Sequence, residues 1–137
     1  VSIDIDSCDL WVFLTLTDVY RPRLLTIEYN AAFQFNESMT NVCTRPQDKC
    51  NNAFYSTKLS GTHALDGASL MAIAKAARRR GYEVVWVEPY LDVFVVRADL
   101  LCTNSVPPLE VFVSYTDTPF HTKPSPRAID KWFVEYE

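Results

Sequence analysis

Acidic side chains are concentrated around the end of the first apolar segment, in the sequence IDIDSCD. Asp4 and Asp6 alternate with apolar residues, so on a strand they would point to the same side. Two neighbouring carboxylates repel each other unless a metal ion, an amine or an arginine lies between them. Asp9 follows closely enough to join them, or to lie in the first turn of a helix, where a negative charge is favourable. The pattern predicts a charged pocket; the alternative is that one carboxylate caps the helix and another is solvated.

Two further polar residues lie at the end of the next apolar segment, LLTIEY. Glu28 is near its end, and Asn30 directly follows it. In open α/β sheets, ligands bind outside the carboxyl ends of the strands. If the two predicted strands are adjacent, Glu28 and Asn30 open onto the same crevice as Asp6. The alternative is simple exposure of both side chains at the end of a strand.

The elements that would position these side chains alternate between strand and helix. Strands are predicted over residues 1–5 and 24–29, the second buried on both faces of a parallel sheet. Between them, residues 10–16 place Leu10, Phe13 and Leu14 on one helical face, although a strand remains the competing interpretation. Residues 18–22 are predicted to turn, and the polar residues 30–65 to form a long loop.

The clearest helix is predicted over residues 66–80. Asp66 is a suitable N-cap, and apolar residues at helical spacing form a buried stripe. Arg78, Arg79 and Arg80 lie in the last turn, where cations favour the negative end of the helix dipole. Gly81 follows, where left-handed backbone geometry commonly ends a helix.

A hairpin and an extension complete the predicted order of elements. Residues 83–87 and 93–97 are predicted to pair as antiparallel strands. Residues 109–115 are interpreted as an edge strand. Ser125 and Pro126 are typical of a helix start, and the helix that follows would have an apolar face of Ile129, Trp132, Phe133 and Tyr136.

Composition and charge limit the classes of function that the chain can have. The 137 residues suit one domain. A formal net charge of −4 argues against a nucleic-acid surface, which should be basic. No apolar run reaches the length of a membrane span. Because the chain begins within a predicted strand, we expect an upstream sequence.

Cysteines, histidines and one modification triplet give weaker signals. The four cysteines are compatible with unpaired thiols, with a Cys43–Cys50 disulfide in an oxidising compartment, or with a metal site whose spacing is unusual. His63 and His121 stand beside no nucleophile. The triplet Asn36-Glu37-Ser38 matches a glycosylation sequon, a pattern that also occurs by chance.

Three blocks of the sequence together resemble the carboxyl-terminal half of FkbM-type S-adenosylmethionine-dependent methyltransferases. They are IDIDSCDLWVF, YRPRLLTIEYN and DGASLMAIAKAARRRGYEVVWVEPYLDVFVVRADL. The resemblance covers approximately residues 1–100, and its block from Gly67 to Tyr82 is the most specific. It implies the back half of a Rossmann-like methyltransferase sheet, ending in an antiparallel hairpin. The domain prediction is therefore a methyltransferase-like half domain at residues 1–102 and an extension at 103–137.

The resemblance also implies roles for the polar residues. Asp4 and Asp6 would be catalytic, Glu28 and Asn30 would bind the cofactor S-adenosylmethionine, and Asp9 would bind the substrate. Ser7 stands where the family often has glycine.

The cofactor-binding front half has no counterpart in this sequence. The chain has three glycines, and none forms the glycine-rich turn that brings backbone close to such a cofactor. We therefore expect a fragment that is inactive alone and is completed by a missing amino-terminal half or a partner chain. The alternatives are a non-catalytic assembly subunit and, from the Asp4-Ile5-Asp6 pattern, a metal-dependent nucleotide-sugar transferase.

Overall fold

The α/β class predicted from the sequence is confirmed by a computed structural model, which describes residues 1–6, 8–42, 67–102, 104, 106–117, 126 and 133–137. It contains a four-stranded mixed sheet and a two-stranded antiparallel sheet. In chain order, the elements are β1 (Ser2–Ile3), α1 (Asp9–Val19), β2 (Leu24–Glu28), β3 (Met39–Asn41), α2 (Leu70–Arg79), β4 (Tyr82–Val87), β5 (Asp92–Arg97), two 3₁₀ helices (Ala98–Leu100 and Leu109–Tyr115) and β6 (Phe133–Glu135).

The larger sheet combines three strands of one direction with one of the other. Its order is β1-β2-β5-β4. β1 pairs with β2 in parallel, whereas β5 is antiparallel to both of its neighbours, β2 and β4. The predicted hairpin is therefore confirmed, and its second strand lies between two strands that run parallel to each other.

The first strand is shorter than predicted. Pairing extends only over Ser2 and Ile3. Ile3 is 4% exposed, but Ile5 is 50% exposed, so the alternating burial predicted for residues 1–5 does not extend beyond Ile3. β2 is likewise buried chiefly on one face, because Leu25 and Ile27 are inaccessible while Leu24 is 45% exposed.

Helix α1 resolves the choice between helix and strand for residues 10–16. Leu10, Phe13 and Thr17 are buried, at spacings that place them on one side of a helix. The hydroxyl of Thr17 donates to the carbonyl of Phe13 over 2.7 Å, so this buried polar group is satisfied within the helix. The helix continues to Val19, and residues 18 and 19 therefore do not belong to the predicted turn.

Helix α2 begins four residues later than predicted. Ser69 is its N-cap, and the Ser69 hydroxyl accepts a hydrogen bond from the backbone N–H of Ala72. Before it, Gly67 has a φ of +72° and Ala68 forms an isolated bridge with Thr40, conformations that the helix cannot include. Asp66, the predicted cap, lies outside the described residues.

The carboxyl end of α2 and its buried stripe agree with the prediction. Gly81 has a φ of +74°, a conformation that costs little only for glycine. The buried side chains of the helix include Leu70, Ile73, Ala74 and Ala77. Among the described residues, no helix has the length and apolar character needed to cross a membrane.

Three predictions for the connecting segments are wrong. The predicted loop 30–65 contains β3, which pairs with β6. The predicted edge strand 109–115 is a 3₁₀ helix. Its buried residues, Leu109 and Phe112, are three apart, the period of that helix. Pro126 is helical, but the predicted last helix does not reach Phe133 and Tyr136, because residues 133–135 form β6; Ile129 and Trp132 lie outside the described residues.

The two cysteines among the described residues differ in state. Cys8 is disulfide-bonded, so the unpaired-thiol interpretation is wrong for this residue. Cys102 is exposed and carries a thiol. Cys43 and Cys50, the pair considered for a disulfide, lie outside the described residues, as do His63 and His121.

Candidate functional site

Three carboxylates meet at one end of the larger sheet. Oxygen atoms of Asp4, Asp6 and Glu28 all lie within 4.8 Å of one another. Asp4 and Asp6 are exposed, and Glu28 is half-buried. Such a group attracts a cation, either a divalent metal ion bound through oxygen ligands or an amine, because like charges at this separation repel. We call these three residues the carboxylate cluster.

The pairing of β1 with β2 brings the carboxylate cluster together. The two strands run in parallel, with Ile3 opposite Ile27. Asp4 directly follows β1 and Glu28 is the last residue of β2, so both lie at the same end of the sheet. Asp6 has a φ of +55°, a left-handed conformation that aspartate and asparagine adopt more readily than most residues. The chain thereby turns after β1, with Asp6 still near Glu28.

Asp92 is a neighbour of the cluster that the sequence analysis missed. It is the first residue of β5 and lies opposite Glu28 in the antiparallel register. Burial, together with the negative charges of Asp4 and Glu88, raises the pKa of the Asp92 carboxyl. The predicted hairpin left Asp92 in its turn, and only the pairing of β5 with β2 places the start of β5 where β2 ends.

Asp9 is buried, unlike the exposed Asp4 and Asp6. It is fully buried at the start of α1, and its carboxylate accepts a hydrogen bond of 2.9 Å from the backbone N–H of Ile5. A buried carboxylate with a backbone donor holds a local conformation. The described contacts therefore give Asp9 a role in shaping the loop that carries Asp6, before any role toward a substrate.

Asn30 likewise holds backbone in place. It is 6% exposed, and its side-chain oxygen accepts a hydrogen bond of 3.0 Å from the N–H of Ala32. Its own backbone N–H donates to the carbonyl of Ala68. This local side-chain to backbone bond is typical of an asparagine turn, and it places Asn30 in the chain reversal after β2. The structure thus brings Asp4, Asp6 and Glu28 together, while Asp9 and Asn30 support the surrounding loops.

Tyr29 holds together the segments beside the carboxylate cluster. Its hydroxyl donates to the carbonyl of Tyr115 over 2.7 Å and accepts from the N–H of Tyr90 over 2.8 Å. Burial is the main reason why the pKa of Tyr29 is raised to about 12. Tyr90 has a φ of +66° and lies in the β4–β5 turn, close to Asp92. One phenol therefore ties β2, this turn and the second 3₁₀ helix together.

The opposite end of the sheet is basic. A concavity of about 430 Å³ there is lined by Arg21, Gly81, Arg97, Ala98 and Asp99. The Arg21 guanidinium donates to the carbonyl of Arg80 over 3.0 Å, and a hydrogen bond from Arg97 lowers the pKa of Asp99. Arg97 and Asp99 form an ion pair in this concavity, whereas the carboxylate cluster consists of acidic side chains alone.

Comparisons with known proteins leave the site without a named relative. No protein-family model matches the chain, and neither a curated protein nor a solved structure does so.

Proposed function

We propose that this chain is a methyltransferase-like domain, similar to the carboxyl-terminal half of FkbM-type S-adenosylmethionine-dependent methyltransferases. The observation that carries the proposal is the convergence of Asp4, Asp6 and Glu28 at the carboxyl ends of two adjacent parallel strands. Open α/β sheets bind ligands outside the carboxyl ends of their strands. The chain would supply the acceptor side of the reaction.

The topology of the sheet supports the proposal. The resemblance implied parallel strands followed by a closing antiparallel hairpin. In the structure, β5 enters between β2 and β4 and is antiparallel to both. A hairpin joined in this way places the start of β5, with Asp92, beside the carboxyl end of β2. The closing hairpin thus adds a fourth acidic residue to the site.

The described residues do not fit S-adenosylmethionine by themselves. The sequence lacks a glycine-rich turn, and the oxygen of Asn30 is engaged with Ala32. The donor pocket would come from another segment of the full protein or from a partner chain.

The carboxylate cluster can act on an acceptor without the cofactor. A carboxylate of Asp4 or Asp6 can accept the hydrogen bond of an acceptor hydroxyl, which increases the electron density on that oxygen. The cluster also attracts an acceptor that carries an amine. Orientation of the acceptor is itself a large part of such catalysis, since a fixed reacting pair avoids the entropic cost of encounter.

Calorimetric titration with S-adenosylhomocysteine tests the proposal. We expect no micromolar binding by the 137-residue chain and micromolar binding by the product of the full coding sequence. Asp4→Asn in that full product should lower methyl transfer while leaving S-adenosylhomocysteine binding unchanged. Failure of the full product to bind, both alone and in complex with the partner chain that purifies with it, would contradict the proposal; binding by the isolated chain would contradict the missing donor pocket.

The carboxylate cluster favours a second candidate, a cation-dependent transferase that uses a nucleotide sugar. Three carboxylate oxygens within 4.8 Å suit a divalent cation. Titration with Mn²⁺ separates the candidates: binding that is weakened by Asp6→Asn, but not by Asp117→Asn, favours this one. Asp117 is a matched control because it is exposed and has a similar φ of +53°.

The exposed edge of the sheet favours a third candidate, an assembly subunit. Within the described part of the chain, β1 pairs only with β2. Val1 and Ile5, on either side of β1 in the sequence, are 63% and 50% exposed, and an open strand edge is a template for a further strand. A full coding sequence without a glycine-rich turn, whose product purifies with a partner, would favour this candidate over an enzyme.

A further inference from the structure

The triplet Asn36-Glu37-Ser38 is the single Asn-x-Ser/Thr sequence of the chain. Such a triplet is the acceptor sequence for N-linked glycans. By itself it carries little weight, because it is short. Two further observations bear on whether the triplet is modified: the surroundings of Asn36 in the structure and the disulfide of Cys8.

Asn36 lies where a glycan can be accommodated. It is exposed in a tight turn, in which the N–H of Glu37 donates to the carbonyl of Gln34 over 3.0 Å. The N–H of Gln34 in turn donates to the Glu37 carboxylate over 2.7 Å. The turn is held by its flanking residues, and within the described part of the chain no hydrogen bond uses the Asn36 side chain. A large hydrophilic group on Asn36 would therefore extend into solvent without displacing the core.

The disulfide of Cys8 gives independent information about the compartment. Cys8 is disulfide-bonded and 5% exposed. Disulfides persist in secreted proteins and in the secretory lumen, whereas cytosolic thiols are kept reduced. N-glycans are added to secreted proteins as well. Two features that are far apart in the sequence thus point to the same environment.

Ser38 indicates when the modification would occur. Its hydroxyl donates to the carbonyl of Tyr136, and the residue is 5% exposed. In the folded protein, an enzyme that must read this hydroxyl cannot reach it. Attachment therefore has to precede the pairing of β3 with β6, while the triplet is still unfolded.

We propose that Asn36 is an N-glycosylation site and that the chain folds in an oxidising secretory compartment. A bond forms between the Asn36 Nδ2 and the anomeric carbon of a lipid-linked oligosaccharide diphosphate. The bond from that carbon to the diphosphate oxygen breaks, and the lipid diphosphate leaves with the electron pair. The proton lost by Nδ2 passes to a base of the transferase.

The test is expression of the full chain, behind a cleavable secretion signal, in cultured human cells. Intracellular and secreted pools are analysed together, so that poor secretion does not affect the result. We expect most molecules to show a mobility shift that peptide-N-glycosidase F removes, with conversion of Asn36 to aspartate seen by mass spectrometry. Alkylation before and after reduction should identify Cys8 as oxidised.

Variants assign the shift to the site. Asn36→Gln and Ser38→Ala should each abolish it. Asn104→Gln should retain it, because Asn104 is also exposed but is not followed by the acceptor pattern. An unmodified Asn36 in most molecules, a shift that survives Asn36→Gln, or a Cys8 that is alkylated without reduction would each overturn the proposal.

Discussion

Neutralising one member of the carboxylate cluster should stabilise the protein. Asp6→Asn removes a negative charge and keeps nearly the same shape. Asparagine also tolerates the φ of +55° at this position at least as well as aspartate does. The backbone therefore has no reason to change, and the substitution isolates the electrostatic contribution of the charge.

The expected magnitude follows from the separation of the carboxylates. Asp6 and Glu28 lie within 4.8 Å, so in a water-like dielectric their repulsion is roughly 0.9 kcal/mol. The repulsion between Asp4 and Asp6 largely persists in the unfolded chain, because one residue separates them, so we do not count it. At about 0.15 M salt the Debye length is about 8 Å, and screening reduces the gain to roughly half.

The assay is urea unfolding followed by circular dichroism at neutral pH, at low and at physiological salt. The free energy of unfolding of Asp6→Asn should exceed that of the wild type by about 1 kcal/mol at low salt, with a smaller excess at higher salt. Asp117→Asn, the same chemical change in the same backbone conformation outside the cluster, should have little effect. Equal effects of the two substitutions, or a gain that grows with salt, would refute the reasoning.

Other predictions concern the elements around the site. Because its pKa is raised in the folded protein, Asp92 contributes stability below its ordinary pKa of 3.8, and this contribution is lost as the pH rises through the folded value; Asp92→Asn should flatten that part of the stability profile measured by urea unfolding. Tyr29→Phe removes two hydrogen bonds and should cost about 1–3 kcal/mol of unfolding free energy, whereas Tyr20→Phe, at a 65% exposed residue, should be neutral. Gly81→Ala should lower the melting temperature more than Gly67→Ala does: both have positive φ, but only at Gly81 would the new Cβ lie 3.0 Å from a guanidinium nitrogen.

Local sequence predicted the central elements well. The α2 stripe recurs every three to four residues, a spacing that is typical of a helix buried on one face. The same spacing favoured a helix at Leu10 and Phe13, where a strand remained the alternative. The Gly81 terminus and the β4–β5 hairpin also follow from local chemistry. The same reasoning located Asp4, Asp6 and Glu28, because residues at the carboxyl ends of adjacent parallel strands lie at the same end of the sheet.

Long-range pairing was not available from the sequence. β3 and β6 are short strands whose partners lie far away along the chain, so nothing local distinguishes Met39–Asn41 from the loop around it. The 3₁₀ helix Leu109–Tyr115 was mistaken for a strand because its valines favour strands, whereas its burial has a period of three. Asp92 was missed since its position depends on β5 inserting beside β2.

The bond between Ser38 and Tyr136 sets a time limit during synthesis. The two residues are 98 positions apart, and a ribosome adds roughly 5–20 residues per second. An enzyme acting on the nascent chain would have about 5–20 s before the partner of Ser38 exists. The later synthesis of β6 would thus leave the acceptor triplet accessible until Tyr136 has emerged, after which the pairing of β3 with β6 would bury Ser38.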